Sequence, residues 1–384
     1  MRYRFCTAGR AAPLVAAALA AALLASSCAE IDLLKALRAR MADADYIYVS
    51  ADGSDDNTGI SPDSPFATIQ RGLSVAEAAD AYEVRVAEGE YVVENEADII
   101  EVPEGVALKG GWSADFGAWA PRTHVTTIRQ GEGGPSVLVS CSVGSNPWDD
   151  CFDRAIVDGF SIVSTGITAV SAQRDFTLRN CIVTAAQTGD YLAAVDLANE
   201  SGSGCGCSHN LENNVIRIDG DTAVRVGNGC EITIGFNTIV AGNKAIYLVG
   251  ADEESAVTVY SNILGGPGSP AAGVNNEHAG ECHYEGNLLY GFSGAFDGNV
   301  TDQGSNDYYE AVDLSSDLFA GGLDGDLSDG DDTDYHLVDE GGTTYAVDLG
   351  VGYWDSPGSD FEGDPRPYPE GGDGYDRGAD EKVP

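Results

Sequence analysis

Arg179-Asn180-Cys181-Ile182, Asn213-Asn214-Val215-Ile216, Phe236-Asn237-Thr238-Ile239, Ser261-Asn262-Ile263-Leu264 and Gly286-Asn287-Leu288-Leu289 repeat one phrase, an asparagine followed by two mostly apolar residues. From Asn180 through Asn214, Asn237, Asn262 and Asn287 the steps are 34, 23, 25 and 25 residues. The long first step contains Gly202 to Cys207, which reads as a loop insertion. A period near 25 built from short alternating strands is that of one coil of a β-solenoid. A leucine-rich repeat has a similar period, but its leucine spacing is absent and nothing between the repeats reads as helix.

Half a coil later a second strand recurs at Ala193 to Leu197, Thr222 to Val226 and Ala245 to Leu248. Its alternation turns Val224 and Val226 inward and Arg225 outward. Coils stacked about 4.8 Å apart would align the five asparagines into a ladder of mutual amide hydrogen bonds, a structural role in turns. The same register places Cys207, seven residues before Asn214, beside Cys230, seven before Asn237. Equivalent positions on adjacent coils lie within disulfide reach, so a Cys207–Cys230 bond is expected.

Composition agrees with an all-β chain. Of 384 residues 43% are hydrophobic, only 8% are aromatic and 49 are glycine, which favours short strands and tight turns over a helical bundle. The 62 acidic residues against 20 basic ones give a net charge of −42, which disfavours nucleic acid and anionic headgroups as partners and invites cations. An open solenoid end needs a cap. A helix is expected from Ser64-Pro65, with Ser64 as N-cap and Phe66, Ile69, Leu73 and Ala76 on one face. Ile31, Leu34, Leu37 and Met41 form a second amphipathic stretch, either a capping helix or part of a tether.

Arg2, Arg4 and Arg10 precede an apolar run, Ala11 to Leu24, too short to span a bilayer comfortably. Leu24-Ala25-Ser26-Ser27-Cys28 then resembles the lipobox of bacterial lipoproteins, with Ala25 where that family usually has Leu. The resemblance implies lipidation of Cys28, a membrane attachment through the lipid anchor alone, and, since Ala29 follows, an outer-membrane or surface location. Cleavage near Ala29 without lipidation, giving a periplasmic or secreted protein, is the alternative. Seven cysteines follow Cys28, and an oxidising compartment favours disulfides. Cys141 and Cys151 flank a polar loop and are expected to close it, leaving Cys181, Cys205 and Cys282 unassigned.

Tyr46-Ile47-Tyr48-Val49-Ser50, Gly53-Ser54-Asp55, Gly59 and Pro65-Phe66-Ala67-Thr68-Ile69-Gln70 resemble the opening of pectin-lyase-like right-handed β-helix proteins. Asp360-Phe361-Glu362-Gly363-Asp364-Pro365-Arg366-Pro367 and Gly378-Ala379-Asp380-Glu381 look like the closing motif of many of their bacterial surface members. The organisation expected is a lipoprotein signal peptide over 1–28, a tether or short helix over 29–44, an N-terminal cap over 45–82, a parallel β-helix over 83–310 and an acidic C-terminal tail and cap over 311–384. The resemblance carries fold rather than activity, because that superfamily holds lyases, hydrolases and adhesins.

Lyases of this fold pair an Arg or Lys base with calcium held by acids. Arg225 and Lys244 are the candidate bases, yet no cluster of acids lies on adjacent coils beside either. Asp196, Arg225 and Tyr247, with Asn275 following, are expected to form an outward column that either binds sugar through hydrogen bonds and ring stacking or simply holds Asp196 and Arg225 as a surface ion pair. Asp219 and Asp221 flank Gly220 as turn residues, and the five histidines show no metal spacing. Asp324, Asp326, Asp329, Asp331, Asp332 and Asp334 read either as ligands for calcium, the one cofactor suggested, or as a solvated loop, and the smaller acidic group Asp52, Asp55, Asp56 and Asn57 has the same two readings. The function expected is a non-catalytic envelope protein presenting a β-helical face to a glycan, matrix component or protein. The alternative is a calcium-dependent polysaccharide lyase or related carbohydrate enzyme.

Overall fold

The computed structural model describes most of residues 46–309, with its longer gaps at 142–153, 187–192, 198–206, 250–255 and 278–280, together with residues 359–360, 366 and 377–379. Every pairing between its named strands is parallel, and the coils lay their strands on three faces, giving a right-handed parallel β-helix. The first face stacks β1 (Tyr46–Val49), β2 (Glu83–Ala87), β5 (Ala107–Trp112), β8 (Ala155–Asp158), β11 (Phe176–Arg179), β14 (Cys207–Glu212), β17 (Cys230–Gly235), β20 (Ala256–Tyr260), β22 (Glu281–Glu285) and β24 (Thr301–Gly304). The second stacks β3 (Gly89–Val93), β6 (Thr126–Gln130), β9 (Phe160–Ser164), β12 (Ile182–Ala185), β15 (Val215–Ile218) and β18 (Thr238–Ala241). The third stacks β4 (Ile100–Glu101), β7 (Val139–Cys141), β10 (Val170–Ala172), β13 (Ala193–Leu197), β16 (Thr222–Val226) and β19 (Lys244–Leu248). The long strands β21 (Ile263–Asn276) and β23 (Leu288–Gly298) run through the corner between the second and third faces, and β25 (Asp307–Tyr309) pairs with β23.

The corner between the first and second faces explains the repeat. Gly159, Asn180, Asn213, Phe236, Ser261 and Gly286 all have positive φ there, between 53° and 79°. A left-handed residue turns the chain sharply but costs roughly 1–2 kcal/mol when it carries a Cβ. The next residue compensates. Asn214, Asn237, Asn262 and Asn287 are fully buried, and each carboxamide oxygen accepts the backbone N–H of the preceding rung. Each Nδ2 of Asn214, Asn237, Asn262 and Asn287 also donates to the carboxamide oxygen of the next rung. Asn306 closes the series as an additional rung.

Asn180 does not belong to this ladder. Its strand register matches Arg179 with Glu212, which puts Asn180 at the positive-φ position and Cys181 in the ladder row. Cys181 N–H donates to Asn214 Oδ1 at 3.0 Å, and Asn180 Nδ2 donates to Asp158 Oδ1 at 2.8 Å. The repeated phrase was one residue out of step in that coil, because an asparagine also suits the left-handed position.

At the N-terminal end α1 spans Ile69–Ala79 and packs Ile69, Leu73 and Ala76 into the core beside β1, β2 and β4. The helix starts four residues later than expected from Ser64-Pro65. Thr68 is the residue whose hydroxyl accepts the Arg71 N–H, while Phe66 pairs with Val49 as extended backbone. Phe66 N–H donates to Tyr48 O and Ser50 N–H to Phe66 O, a strand-like use that overrides the proline start signal.

The described C-terminal residues lie against the side of the coils. Asn213 Nδ2 donates to Ser359 O, the Arg366 guanidinium sits 4.5 Å over the Phe236 ring, and Gly378 N–H donates to Ser261 O. Arg377 reaches Asp307 on β25 at 2.6 Å. Outward residues of the second face are correspondingly covered: Val215, Ile263 and Leu288 are 0% exposed. Gly378 has φ +90°, and a Cβ there would stand 2.7 Å from Ile263 Cδ1, so the close approach requires glycine.

Candidate functional site

Outward positions of the third face form one unbroken column through strand register. Ser140 pairs with Ser171, Ser171 with Asp196, Asp196 with Arg225, Arg225 with Tyr247, Tyr247 with Asn275 and Asn275 with Asp297. The expected alignment of Asp196, Arg225, Tyr247 and Asn275 is therefore present at single-rung spacing. Inward neighbours Val195, Val224 and Ile246 are fully buried, and that burial sets which side the column faces.

The chemistry of the column is more self-contained than expected. Arg225 Nη1 donates to both Asp196 carboxylate oxygens, at 2.8 and 3.0 Å, with both side chains partly exposed. Tyr247 is only 7% exposed, its hydroxyl donates to Glu277 Oε2 at 3.1 Å, and Lys244 Nζ lies 4.5 Å over its ring. Ring stacking of a sugar on Tyr247 is thus corrected: the ring is already covered. Lys244 stands 4.0 Å from Asp221, which also accepts from Asn243 Nδ2. Among the described residues neither candidate base has converging acids around it, and none form a group of three or more His, Cys, Asp or Glu placed to bind a metal ion.

The smaller acidic group has a structural occupation. Asp55 accepts from Ala67 N–H, Thr68 N–H and the Thr68 hydroxyl, and Asn57 Nδ2 donates to Pro65 O at 2.8 Å. These bonds pin the loop after β1 to the start of α1. Asp324, Asp326, Asp329, Asp331, Asp332 and Asp334 lie outside the described residues, as do Cys28 and Cys151.

Among the cysteines, register sets Cys207 opposite Cys230 on β14 and β17, as expected. Cys141 is a free, buried thiol on β7, in place of the expected loop closure with Cys151. Alternation explains this: Val139 and Cys141 face the core while Ser140 faces out. Cys181 and Cys282 are also free and buried. Burial pushes the Cys141 and Cys181 thiols up to about 12, so they stay protonated and unreactive at neutral pH.

Residues no motif announced include Asn306 and, on the first face, Arg85, Lys109, Trp112 and Trp119, which meet the motif residue Tyr46. They come from separate strands and a loop: register sets Arg85 beside Lys109, and an isolated bridge sets Trp119 beside Trp112.

Residues 51–137 match the family described as "Protein of unknown function (DUF1565)". Among solved structures the chain is similar to the crystal structure of pectate lyase Pel9A at 13% identity, over 88% of this chain and 96% of that one, with a TM-score of 0.38. None of the curated proteins is similar in sequence. By its stacked parallel coils the chain has the fold of a right-handed parallel β-helix repeat protein.

Proposed function

We propose that the chain is an envelope-anchored, non-catalytic protein whose outward β-helical faces bind a polysaccharide or matrix component. The observation that carries this reading is the third-face column. Its charges pair with one another along a continuous row, Arg225 with Asp196, instead of converging on a point where a proton could be abstracted. Such a row offers repeated hydrogen-bonding groups at the spacing of the coils, which suits a polymer more than a small substrate. Cys28 would supply the anchor and place the faces at the outer membrane or surface. Calcium bound by the acidic stretch 324–334 would offset part of the −42 charge there.

The test is incubation of the full chain with uronate and neutral polysaccharides, with and without calcium, following retention and unsaturated product together. Retention without product is expected. Calcium-dependent unsaturated product would overturn the non-catalytic reading in favour of a lyase.

A further inference from the structure

The cap closes the N-terminal end of the coils unevenly. On the first face the leading strand β1 is already paired: Tyr48 N–H donates to Gly59 O, Phe66 N–H to Tyr48 O and Ser50 N–H to Phe66 O. The helix α1 packs on β1, β2 and β4. The leading strand of the second face, β3, is left open. Gly89 N–H donates to Val125 O and Val93 O accepts from Gly131 N–H, so alternation turns the N–H and C=O of Glu90 and Val92 away from β6. Among the described residues these four backbone groups have no hydrogen-bond partner. Val92 is 38% exposed, and a cavity of about 190 Å³ runs beside the strand, lined by Ala51, Ala67, Ile69, Tyr91, Val93 and Ile100.

We propose that the chain's own residues 37–41 complete this face, added as an antiparallel strand on the open edge of β3.

Leu37-Arg38-Ala39-Arg40-Met41 alternates apolar and basic residues, the pattern of a strand with one side buried. Pairing Met41 with Gly89 sets Ala39 at Tyr91 and Leu37 at Val93, on the cavity side. The same register sets Arg40 beside Glu90 and Arg38 beside Val92, on the outer side. Arg40 and Arg38 then exchange backbone bonds with Glu90 and Val92 and use all four open groups. Charge is complementary. Glu90, held on its β6 side by Arg129, and Glu94 are both exposed on the outer side of the edge. Residues 33–42 hold three cations and no acid, in a chain of −42.

Reach is sufficient. Met41 stands five residues before Tyr46, and Ala51 five after it. A segment doubling back beside β1 therefore has the length to bring Met41 to Ala51, whose Cβ lies 3.5 Å from a Cβ built on Gly89. The edge is recessed beside the start of α1, which admits one strand and not the sheet of a second folded copy. A tether of four residues, 42–45, also gives the segment a high effective concentration at the edge. A helix over the same residues would satisfy its own backbone and leave the β3 groups unpaired. With residues 37–41 held, residues 29–36 alone separate Cys28 from the coils, so the proposed anchor would keep the N-terminal end of the β-helix at the membrane. The docking itself stands without the lipid.

Limited trypsin digestion of the full chain in detergent, read by mass spectrometry, tests this, because trypsin cuts after Lys35, Arg38 and Arg40. A synthetic peptide of residues 29–45 gives the undocked rate. Cuts after Arg38 and Arg40 should be roughly tenfold or more slower in the protein than in the peptide. Val92→Pro removes one edge donor and spares the bonds to β6. Glu90→Lys reverses the charge that faces Arg40. Each should speed these cuts several-fold with the far-UV circular dichroism unchanged. Cutting of the wild type as fast as the peptide overturns the docking. Protection that survives in both folded variants overturns the placement on β3. Protection that fades on dilution overturns the intramolecular strand and assigns it to a second copy.

Discussion

Asn237 donates its Nδ2 to Asn262 Oδ1 at 3.0 Å, and the same oxygen accepts the Asn237 backbone N–H at 2.9 Å. One carboxamide thus satisfies the corner of the coil before it while its own Nδ2 reaches Ile234 O at 2.8 Å. The ladder joins coils through side chains where the left-handed corner interrupts the strand pairing. Polar groups this deeply buried are costly to leave unpaired.

Asn237→Ala should therefore destabilise the protein by about 3 kcal/mol, since it strands the Asn214 N–H and the Leu211 carbonyl together. Asn180→Ala should cost less, because Asn180 stands outside the ladder and the loss falls on its bond to Asp158 and on the long one it accepts from Asn213 Nδ2. Chemical denaturation of the two variants checks this. Equal losses would mean that the ladder adds nothing beyond an ordinary corner.

Cys207 and Cys230 should be joined in oxidised protein, and a non-reducing peptide map should recover the cross-linked pair. The bond would close a loop of about 24 residues, worth about 3 kcal/mol on the chain-entropy argument. Reductant should lower the melting temperature accordingly, and Cys207→Ser should remove that response. Recovery of Cys207 as a free thiol would sink the idea.

His209 makes the fold acid-sensitive. Its side chain is 0% exposed in the inner row between Phe176 and Ile232, and neither ring nitrogen has a partner among the described residues. Burial, aided by the Arg154 charge, pushes its pKa down to about 4 from 6.5. The unfolded chain takes up the proton first as pH falls, so stability present above pH 6.5 is lost progressively down to pH 4. The loss should reach about 3 kcal/mol. His209→Leu should flatten the pH dependence of stability over that window; an unaltered profile would place the acid sensitivity elsewhere.

The C-terminal strap should be removable only at a cost. Gly378→Val combines a positive φ with a Cβ 2.7 Å from Ile263 Cδ1, so it should destabilise by about 2 kcal/mol or more. Proteolysis should then cut the C-terminal segment faster than in the wild type. Wild-type resistance and melting in Gly378→Val would show that the strap contributes little.

The proposed anchor predicts that Cys28→Ser moves the protein from the membrane fraction to the soluble one. Continued membrane association would rule out lipidation at Cys28.

The coil period, the corner asparagines after Asn180, the inward Val224 and outward Arg225, and the strand register of Cys207 opposite Cys230 were all legible in the chain. A solenoid repeats one local problem, so residues 23 to 25 apart meet in space and sequence distance becomes a spatial coordinate. What the repeat does not encode was decided by tertiary structure. Whether Asn180 or Cys181 occupies the ladder depends on strand register with Glu212, one residue of shift in either direction. The start of α1 at Ile69 followed from Phe66 pairing with Val49, a contact that competes with the Ser64-Pro65 signal. Tyr247 was placed in its column correctly, yet Lys244 over its ring and Glu277 at its hydroxyl determine what it can bind. The strap over Ile263 and the row of Tyr46, Arg85, Lys109, Trp112 and Trp119 join segments with no common period. Packing, which is non-directional and blind to sequence distance, brought them together.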